Sequence, residues 1–456
     1  MNNWISTTLK GVSHKIITGP FGSQLHQSDY IDSGIAVIMP QNIEDRYVNY
    51  NSIAYISEED ATRLSRYKAK PYDIVYSRRG DVEKHALIRD TDPESFCGTG
   101  CFLVRLNTSK VHPEYVSFYL NRPESRTWLR QHAVGSNMPN LNSDILNNVP
   151  ICYPEKIETQ KALIEGISSL DLKIQLNNAI NAELENLAKT LYNYWFVQFD
   201  FPNAKGKPYR ASGGKMEYSD VLKREIPKGW EVKRLGDMYN VSKGSLITEK
   251  ETTMGNVKVV AAGITFSYFH SAANRPENTI TISASGANAG YVNFWREKIF
   301  ASDCITVRGD DDLDSYLIYL FLDFMQNTIL KKATGSAQPH VYPDDIKQLY
   351  LCKIPQSKKD EIRNILIPIN QKIANVQKES AELIKLRDFL LPLLMNGQVR
   401  VGEKSESLKL VLNKPKNNFD ENKYQSWLAQ TKLAARGNMD EQTLRKMFEA
   451  IDENDR

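Results

Sequence analysis

Pro343-Asp-Asp-Ile-Lys347 brings together two carboxylates and a lysine, the groups with which a metal-dependent nuclease cleaves a phosphodiester. Such an enzyme presents its carboxylates from separate strands around one ion, whereas these residues are consecutive. A stretch in a similar setting earlier in the chain, Ser143-Asp-Ile-Leu-Asn147, has no lysine. Because Pro and Asp are typical of the first turn of a helix, each stretch is predicted to begin a short helix.

Two glycine-rich stretches could bind a cofactor or a phosphate. Phe96-Cys-Gly-Thr-Gly100 matches the F-x-G-x-G loop of adenosylmethionine-dependent methyltransferases, but it runs straight into the strand-like CFLVRL. The Asn/Asp-Pro-Pro-Tyr/Phe motif of adenine methylases is absent. Thr18-Gly-Pro-Phe-Gly-Ser-Gln24 lacks the Gly-Lys-Ser/Thr ending of a phosphate-binding loop. The first stretch is interpreted as a turn before a strand, and nothing in the second supports nucleotide hydrolysis. The chain is not predicted to be an enzyme by itself.

The cysteines also argue against a metal centre. Only Cys97 and Cys101, of five cysteines, are close together, and no second Cys or His pair stands at zinc-site spacing. The small, odd number fits a reducing cytoplasm, which is the predicted location. The N-terminus has no secretory signal pattern, and no apolar run approaches the roughly 18 residues of a membrane span.

The charge balance gives no sign of a nucleic-acid partner. The net charge is +3; residues 1–157 carry 17 basic and 17 acidic groups, and residues 230–356 carry 13 and 14. Phosphate contacts normally leave a basic excess. The charge balance therefore does not favour nucleic-acid binding by these segments.

The elements around these stretches occur twice. Trp4 and Trp230 are each followed five residues later by a leucine. YDIVYSRRGD (72–81) is echoed by NTITISASGA (278–287), and CFLVR (101–105) by CITVR (304–308). AVGSNMPNLNSDI (133–145) is echoed by ATGSAQPHVYPDDI (333–346). Such repetition predicts two copies of one structural unit.

Each copy leads into a long helical pattern whose apolar positions alternate by four and three, as in a coiled coil. The two sets are Leu163, Ile167, Leu170, Ile174, Asn177, Asn181, Leu184, Ala188, Leu191 and Ile362, Leu366, Ile369, Ile373, Val376, Ser380, Leu383, Arg387, Leu390. The alternative is that each helix packs only on its own domain. Polar positions 177, 181 and 380 weaken the seam but could fix its register.

The predicted domain order follows from these patterns. It is a first globular domain at 1–157, a long helix at 158–201, a linker at 202–229, a second globular domain at 230–356, a long helix at 357–402 and a charged extension at 403–456. The linker carries seven basic and three acidic residues. In the extension, Leu444, Met447, Phe448 and Ile451 would form one apolar helix face.

In this order the segments resemble the specificity subunit of type I restriction-modification systems. The resemblance covers about residues 4–401. It rests on TGPFGSQLHQSDY, VIMPQNI, YDIVYSRRGD, FCGTGCFLVR, LYNYWFVQFDFP, IPKGW and GSAQP. It implies an α+β fold: two pseudo-repeated mixed α/β target recognition domains joined by two long antiparallel coiled-coil helices.

The resemblance also implies the function and the partners. Each domain would read one half of a split sequence in double-stranded DNA, and the helices would set the spacer. Two modification (methyltransferase) subunits would dock on the helices, at positions such as Leu163, Ile174, Leu184, Ile373 and Leu383. Two restriction (translocase and nuclease) subunits would join them. S-adenosylmethionine, ATP and Mg²⁺ are expected in these partner subunits and no cofactor in this chain.

The DNA-contacting side chains are expected where the repeats diverge. Arg78 and Arg79 stand where the second copy has Ala284 and Ser285, and arginine is a frequent reader of guanine edges and binder of phosphate. The alternative for each residue is a solvated loop. The full predicted set is Gln24, Arg78, Arg79, Asn137, Asn140, Asn288, Gln338, His340 and Tyr342.

Two rival functions remain open at this point. One is a protein-binding scaffold of two repeats that does not bind DNA, and the other is a single-chain DNA methyltransferase or nuclease. The declined motifs disfavour the second.

Overall fold

The computed structural model describes residues 4–135, 138–333 and 339–396. They form two compact units, each assembled from separated parts of the chain. Within the described residues, unit 1 comprises residues up to 175 together with 381–396, and unit 2 comprises 176–380. Both boundaries fall inside long helices.

Unit 1 combines twelve described strands with short helices. The strands are β1 (Trp4–Thr8), β2 (Ser13–Thr18), β3 (Tyr30–Ile31), β4 (Ile35–Ile38), β5 (Ile43–Glu44), β6 (Tyr47–Val48), β7 (Ala54–Ile56), β8 (Asp73–Ser77), β9 (His85–Leu87), β10 (Ser95–Cys97), β11 (Cys101–Leu106) and β12 (Pro150–Pro154). The helices are α1 (Glu58–Arg63), α2 (Pro113–Leu120), α3 (Pro123–His132) and α4 (Ser143–Asn147). Proline occupies the first helical position of α2 and α3, where its missing N–H costs no hydrogen bond.

The long helix α5 (Ile157–Tyr192) runs from unit 1 into unit 2 and continues as a π-helical turn at Asn193–Val197. It is therefore shorter than the predicted 158–201. The strands of unit 2 are β13 (Met216–Ser219), β14 (Arg224–Pro227), β15 (Glu231–Arg234), β16 (Val241–Lys243), β17 (Val257–Val260), β18 (Tyr268–His270), β19 (Thr279–Ser283), β20 (Val292–Trp295), β21 (Ile299–Ala301), β22 (Cys304–Val307) and β23 (Tyr350–Lys353). Its remaining helices are α6 (Leu235–Met238), α7 (Asp312–Phe324), α8 (Gln326–Lys332), α9 (Pro343–Lys347) and α10 (Gln356–Met395), and α10 ends in unit 1.

The two units repeat the same sheet. Its strand order is β2-β11-β8-β9 in unit 1 and β16-β22-β19-β20 in unit 2. The registers also agree, because Ser77 pairs with Cys101 and Ser283 pairs with Cys304. The central strands β8 (DIVYS) and β19 (TITIS) are buried along their whole length, including polar residues such as Asp73, Thr279 and Thr281. The repeat predicted from the sequence is confirmed at the level of strand register.

Within each unit the long helices pack antiparallel. In unit 1, Leu163 and Ile167 of α5 share a core with Leu391 and Met395 of α10. In unit 2, the core shared by the two helices contains Leu184, Leu187, Ala188, Leu191, Ile362, Leu366, Ile369 and Ile373. Asn177, a predicted polar seam position, is 1% exposed and donates from Nδ2 to Glu379 Oε2 at 2.8 Å. The alternating spacing in the sequence thus marks a real interhelical seam.

Residues 202–229, predicted to be a linker, contain a folded hairpin. Strands β13 and β14 pair from Met216 with Pro227 to Ser219 with Arg224. Ile226 is buried in the same core as Trp230, Phe199 and the end of α5. This part of the chain therefore belongs to the core of unit 2.

A buried charge network fixes the β5–β6 turn of unit 1 to both long helices. Arg46, at φ 74° in that turn and 1% exposed, donates from Nη1 to Asp171 Oδ2 of α5 at 2.7 Å. The Tyr47 hydroxyl donates to the same oxygen at 2.8 Å. From α10, Arg387 Nη1 lies 3.1 Å from Asp171 Oδ1 and 2.9 Å from Asp45 Oδ2.

These contacts shift the pKa values of the network. Burial lowers the pKa of Arg46, and the charge of Asp171 limits that shift. Burial alone would raise the pKa of Asp45, but the charge of Arg387 lowers it on balance. For Arg387, burial opposes the charged form, yet the surrounding carboxylates raise the pKa overall. The charged forms of Asp45 and Arg387 are therefore favoured, whereas burial works against the charge of Arg46.

Unit 2 has a counterpart of this contact at the matching helix position. Asn370 aligns with Asp171 when Ile362 is aligned with Leu163. It accepts from Arg296 Nε at 2.7 Å, and Arg296 Nη1 lies 3.7 Å from Glu185 Oε1 of α5. In unit 2 one arginine of the globular part therefore reaches both helices, whereas in unit 1 Arg46 reaches α5 and its neighbour Asp45 reaches α10.

No helix in the described part of the chain has the length and apolar character needed to cross a bilayer.

Candidate nucleic-acid interface

The motifs that could have carried chemistry have structural roles. Pro343–Lys347 forms helix α9, whose Asp345 Oδ2 accepts from the Tyr342 N–H at 2.9 Å as a helix cap. Lys347 Nζ donates to Asp344 Oδ1 at 3.0 Å. The two carboxylates are therefore engaged in hydrogen bonds within the helix, as expected for its first turn.

Phe96–Gly100 covers the end of β10 and the tight turn at residues 98–100 that leads into β11. The Gly98 N–H donates to Ile38 O at 2.9 Å, and a Cβ at Gly98 would lie 2.7 Å from Met39 Sδ. The glycine is thus needed for close packing of the chain on itself.

The close cysteine pair is buried and does not resemble a metal site. Burial raises the pKa of both Cys97 and Cys101, so both thiols stay protonated. Cys101 Sγ donates to Ile38 O at 3.5 Å, as Cys304 Sγ does to Val260 O at 3.6 Å in unit 2. Among residues 4–135, 138–333 and 339–396, no cluster of His, Cys, Asp and Glu could hold a metal ion.

In unit 1 the structure brings together the two loops that the sequence singled out. The loop after β8 and the loop before α4 are bridged between Arg79 and Asn140. The Gly80 N–H donates to Pro139 O at 3.1 Å, and the Leu141 N–H donates to Arg78 O at 2.9 Å. Gly80 has φ 74°, a conformation that favours glycine in this turn. The two loops therefore form one surface.

The same two loops meet in unit 2. The bridge joins Ser285 and His340, and the Gly286 N–H donates to Pro339 O at 3.0 Å. Gly286 has φ 77°, close to the value at Gly80. The backbone frame is thus repeated while the side chains on it differ.

The unit 1 surface carries cations that no carboxylate neutralises. Arg79 is exposed and Arg78 is half-buried, and within the described residues neither forms an ion pair. Partial burial, together with the nearby charge of Arg79, lowers the pKa of Arg78. Its Cζ lies 5.6 Å from the centroid of the Phe21 ring. The two guanidinium groups, next to each other in the loop after β8, can donate hydrogen bonds to guanine or to phosphate oxygens.

The unit 2 surface presents aromatic groups instead. The rings of His340 and Tyr342 stack, with centroids 6.3 Å apart and planes at 18°. Lys243 Nζ lies 5.8 Å from the Tyr342 ring centroid. The Ser285 hydroxyl, at the position of Arg79, donates to Asp303 Oδ2 at 2.7 Å. This surface therefore has a different hydrogen-bonding chemistry from that of unit 1.

The other predicted DNA-contacting residues have mixed placements. Gln24 is committed internally, since its Oε1 accepts from the Tyr67 hydroxyl at 2.9 Å and from the Phe21 N–H at 3.3 Å. Asn288 is exposed in the turn after Gly286. Asn137 and Gln338 lie outside the described residues. Lys243 and Phe21 were missed by the sequence reasoning, which considered the glycine loop around Phe21 only as a possible phosphate site.

The helix positions assigned to partner docking require a correction. Leu163, Ile174, Leu184 and Ile373 are between 0% and 6% exposed, so they pack inside this chain's own units. Only Leu383 is partly accessible. The heptad pattern identified the seam within the chain, because interhelical cores and partner surfaces both require apolar side chains.

Comparison with known proteins connects this geometry to a family. The family model described as the type I restriction modification DNA specificity domain matches residues 8–186 and 227–385, once per repeat. The MjaIX specificity subunit of Methanocaldococcus jannaschii is 30% identical over 314 residues, covering 64% of this chain and 70% of that protein. The HindI specificity subunit of Haemophilus influenzae is 24% identical over 416 residues, covering 75% and 89%.

A solved structure is similar in fold. The crystal structure of the type I restriction-modification S subunit from M. genitalium superposes with a TM-score of 0.52 at 15% identity, covering 89% of this chain and 97% of that one. At this identity the likeness concerns the fold alone.

The chain belongs to the family of type I restriction-modification specificity subunits, the DNA sequence-recognition component of these systems. The two rival functions, a scaffold that does not bind DNA and a single-chain methyltransferase or nuclease, are not favoured. The predicted α+β architecture with two repeated domains and long helices is confirmed.

Proposed function

We propose that each unit reads one half of a bipartite target in double-stranded DNA through its paired loops. The supporting observation is that both units join the same two loops by the same backbone hydrogen bond, at Gly80 and at Gly286. Different side chains stand on these matched frames. Such an arrangement would allow two different half-sites to be read from a common scaffold.

The chemistry of each surface suggests its mode of reading. Arg78 and Arg79 can donate two hydrogen bonds to the guanine edge in the major groove, or bind phosphate. His340, Tyr342 and Asn288 offer donors and acceptors with little charge. Phosphate binding in unit 2 would then depend more on lysines such as Lys243 and on partner subunits.

The experiment uses the chain assembled with its modification subunit, with methylome sequencing of expressing cells to establish the target. The double variant Arg78→Ala with Arg79→Ala is expected to relax the first half of the methylated motif or to weaken its binding. Each lost base contact corresponds to about 1–3 kcal/mol of discrimination. The second half should be unchanged.

The matched control removes two cations from the other end of the same sheet. Lys15 of β2 lies opposite Arg105 of β11 in the strand register, at the end of the sheet far from Cys101. Lys110 follows the same end of β11. Strand β11 separates the two ends by roughly 15–20 Å. Lys15→Ala with Lys110→Ala should leave motif and affinity unchanged. An unaltered motif and affinity in the arginine variant would remove this loop from the interface.

The same proposal places this chain in a larger complex. Two modification subunits would supply S-adenosylmethionine for adenine methylation, and two restriction subunits would supply ATP- and Mg²⁺-dependent cleavage, in the cytoplasm. The chain alone is then expected to transfer no methyl group and to cut no DNA. Methyl transfer from radiolabelled adenosylmethionine by the purified chain would contradict this division of labour.

The docking surface for modification subunits is better sought on the exposed faces of the helices. In unit 1, Leu172 of α5 is 68% exposed, and Leu386 and Phe389 of α10 are 45% and 66% exposed. Such apolar side chains on long helices favour association with a partner. Phe389→Asp is expected to reduce co-purification with the modification subunit, whereas Val221→Asp, on an exposed hairpin of unit 2, should not. Equal recovery with both variants would exclude this surface.

A further inference from the structure

A third loop borders the candidate interface in each unit. It follows the outer strand of the four-stranded sheet, β2 or β16, and begins at Gly19 or Gly244. The Gly19 N–H donates to Cys101 O at 2.9 Å, and the Gly244 N–H donates to Cys304 O at 2.9 Å. The two glycines therefore occupy equivalent places in the repeat.

Neither glycine can carry a side chain where it stands. A Cβ at Gly19 would lie 2.2 Å from Gly98 O, and a Cβ at Gly244 would lie 2.2 Å from Ser302 O. The close approach fixes where each loop leaves the sheet. The same residue type is thus required for the same reason in both units.

Two residues beyond each glycine, a large apolar side chain is exposed to solvent. Phe21 is 55% exposed and Leu246 is 82% exposed. Single exposed apolar residues are common on protein surfaces. The same feature at equivalent, sterically fixed positions of both repeats is a more specific sign of a binding role than a single exposed residue.

The backbone holds both tips in place. In unit 1, the Gln24 N–H donates to Phe21 O at 2.8 Å, and Leu25 next to it is 3% exposed. In unit 2, the Ser245 N–H donates to Ala301 O at 2.9 Å and the Ile247 N–H donates to Ser302 Oγ at 3.2 Å. An ordered loop can present an apolar group to a ligand with little loss of conformational entropy.

In both units the third loop starts beside the paired loops. Arg78 lies over the Phe21 ring, with 5.6 Å from its Cζ to the ring centroid. In unit 2, Lys243, the residue before Gly244, lies 5.8 Å from the centroid of Tyr342. Phe21 therefore has a cation of the proposed reading loops beside it, and the loop that carries Leu246 leaves the sheet next to a cation that lies over the reading loop of unit 2.

We propose that Phe21 and Leu246 are apolar reading tips that pack against base edges of their own half-site. This inference rests on the proposed function of the paired loops. The occupant is duplex DNA because the flanking cations fit phosphate, while an apolar side chain makes contacts of the kind formed with the thymine methyl group. The tips would thus add base contacts that do not depend on charge.

The test is made with the full chain in complex with its modification subunit. Phe21→Ser and Leu246→Ser should each weaken binding of the cognate duplex about ten-fold, the effect of one good base contact. Each should also relax one position of its own half-site in methylome sequencing. The dependence of binding on salt should not change, because no phosphate contact is lost.

Matched controls separate a base contact from a general loss of apolar surface. Ile31→Ser, at an exposed position on the edge strand of the other unit 1 sheet, and Val221→Ser, on the exposed hairpin of unit 2, should bind as the parent does. Phe21→Leu, which places the residue type of unit 2 in unit 1, should retain most of the affinity. Thermal unfolding of every variant should match the parent, since the substituted side chains are exposed.

Two outcomes would overturn the inference. One is an unchanged motif and affinity in both serine variants, and the other is an equal loss of affinity on non-specific DNA. If the Arg78→Ala with Arg79→Ala variant still relaxes the first half-site in that case, only the tips are refuted. If that variant also has no effect, the proposed reading surface fails as a whole.

Discussion

Replacing Asp171 with asparagine tests whether the buried charge network holds the globular part of unit 1 on its helices. The substitution keeps the shape of the side chain and removes its charge. The Asp171 side chain is 4% exposed and accepts from Arg46 at 2.7 Å and from Arg387 at 3.1 Å. The variant therefore leaves two guanidinium groups facing a neutral amide.

The size of the effect follows from which partners remain. Arg387 keeps Asp45 and Asp388 at 2.9 and 3.0 Å, whereas Asp171 is the only carboxylate within 4 Å of Arg46 in the described part of the chain. Removing one partner of a buried ion pair costs about 3–5 kcal/mol. We expect Asp171→Asn to lower the free energy of unfolding of unit 1 by that amount.

The assay must separate the two units. Hydrogen exchange read by mass spectrometry in increasing urea would follow peptides around Arg46 and peptides of α7 in unit 2 independently. Protection should be lost at lower urea in unit 1 only. A loss of less than about 1 kcal/mol in the free energy of unfolding would refute the reasoning, because an ion pair that contributes so little behaves as a solvent-exposed one.

Two controls bracket the result. Asn370→Asp gives unit 2 the residue type of unit 1 beside Arg296 and is expected to cost less than Asp171→Asn, because the arginine gains a carboxylate. Asp220→Ala removes a partner of Lys223 in an ion pair whose side chains are 91% and 73% exposed, and should leave protection unchanged.

Three further predictions follow from the same structure. Burial, and then the charge of Arg46, lower the pKa of His85 to about 3, so the folded protein keeps it neutral while the unfolded chain takes up a proton below about pH 6.5. The free energy of unfolding therefore falls as the pH drops from about 6.5 toward about 3, by about 1.4 kcal/mol per pH unit. For His85→Gln, the free energy of unfolding measured in urea should depend less steeply on pH over this range. Exchanging residues 230–356 for those of a relative should change one half of the methylated motif; loss of both halves would indicate joint reading. Inserting Asn-Ala-Glu-Leu after Leu184 adds about 6 Å of helix and should lengthen the spacer by about one or two base pairs; a folded, active complex with the original spacer would rule out a ruler function for the helices.

The repeated strands were predictable because local patterns determine them. Ser77 and Cys101 have counterparts at Ser283 and Cys304, and the structure pairs each couple in the same register. The side chains of a buried strand must suit its position in the sheet, so such strands can be recognised from the local sequence. The heptad positions were predictable for the same reason, although their apolar character could not distinguish the chain's own seam from a partner surface.

Contacts between distant segments of the chain could not be predicted from local sequence patterns. Nothing local in Asp45-Arg46 indicates a turn with both residues at positive φ, since Asn-Gly is the usual signal for it. The contact of Arg46 with Asp171 depends on a fold that brings together residues 125 apart in sequence. Likewise, the loops at Arg79 and Asn140 could be singled out by divergence, but their pairing required the structure.

The division of α10 between the units has a consequence for the order in which the protein can be made. Leu391, Met395 and Arg387 complete the core and the charge network of unit 1, yet they are synthesised roughly 200 residues after Asp171. At about 5–20 residues per second, the ribosome delivers them about 10–40 s later. During that interval the nascent chain would hold Arg46 and Asp171 without Arg387 and would leave the aliphatic face of α5 uncovered. A chain that is released before α10 is made would lack these parts of unit 1, although every residue of its globular part is present, so synthesis of α10 is a condition for completing that unit.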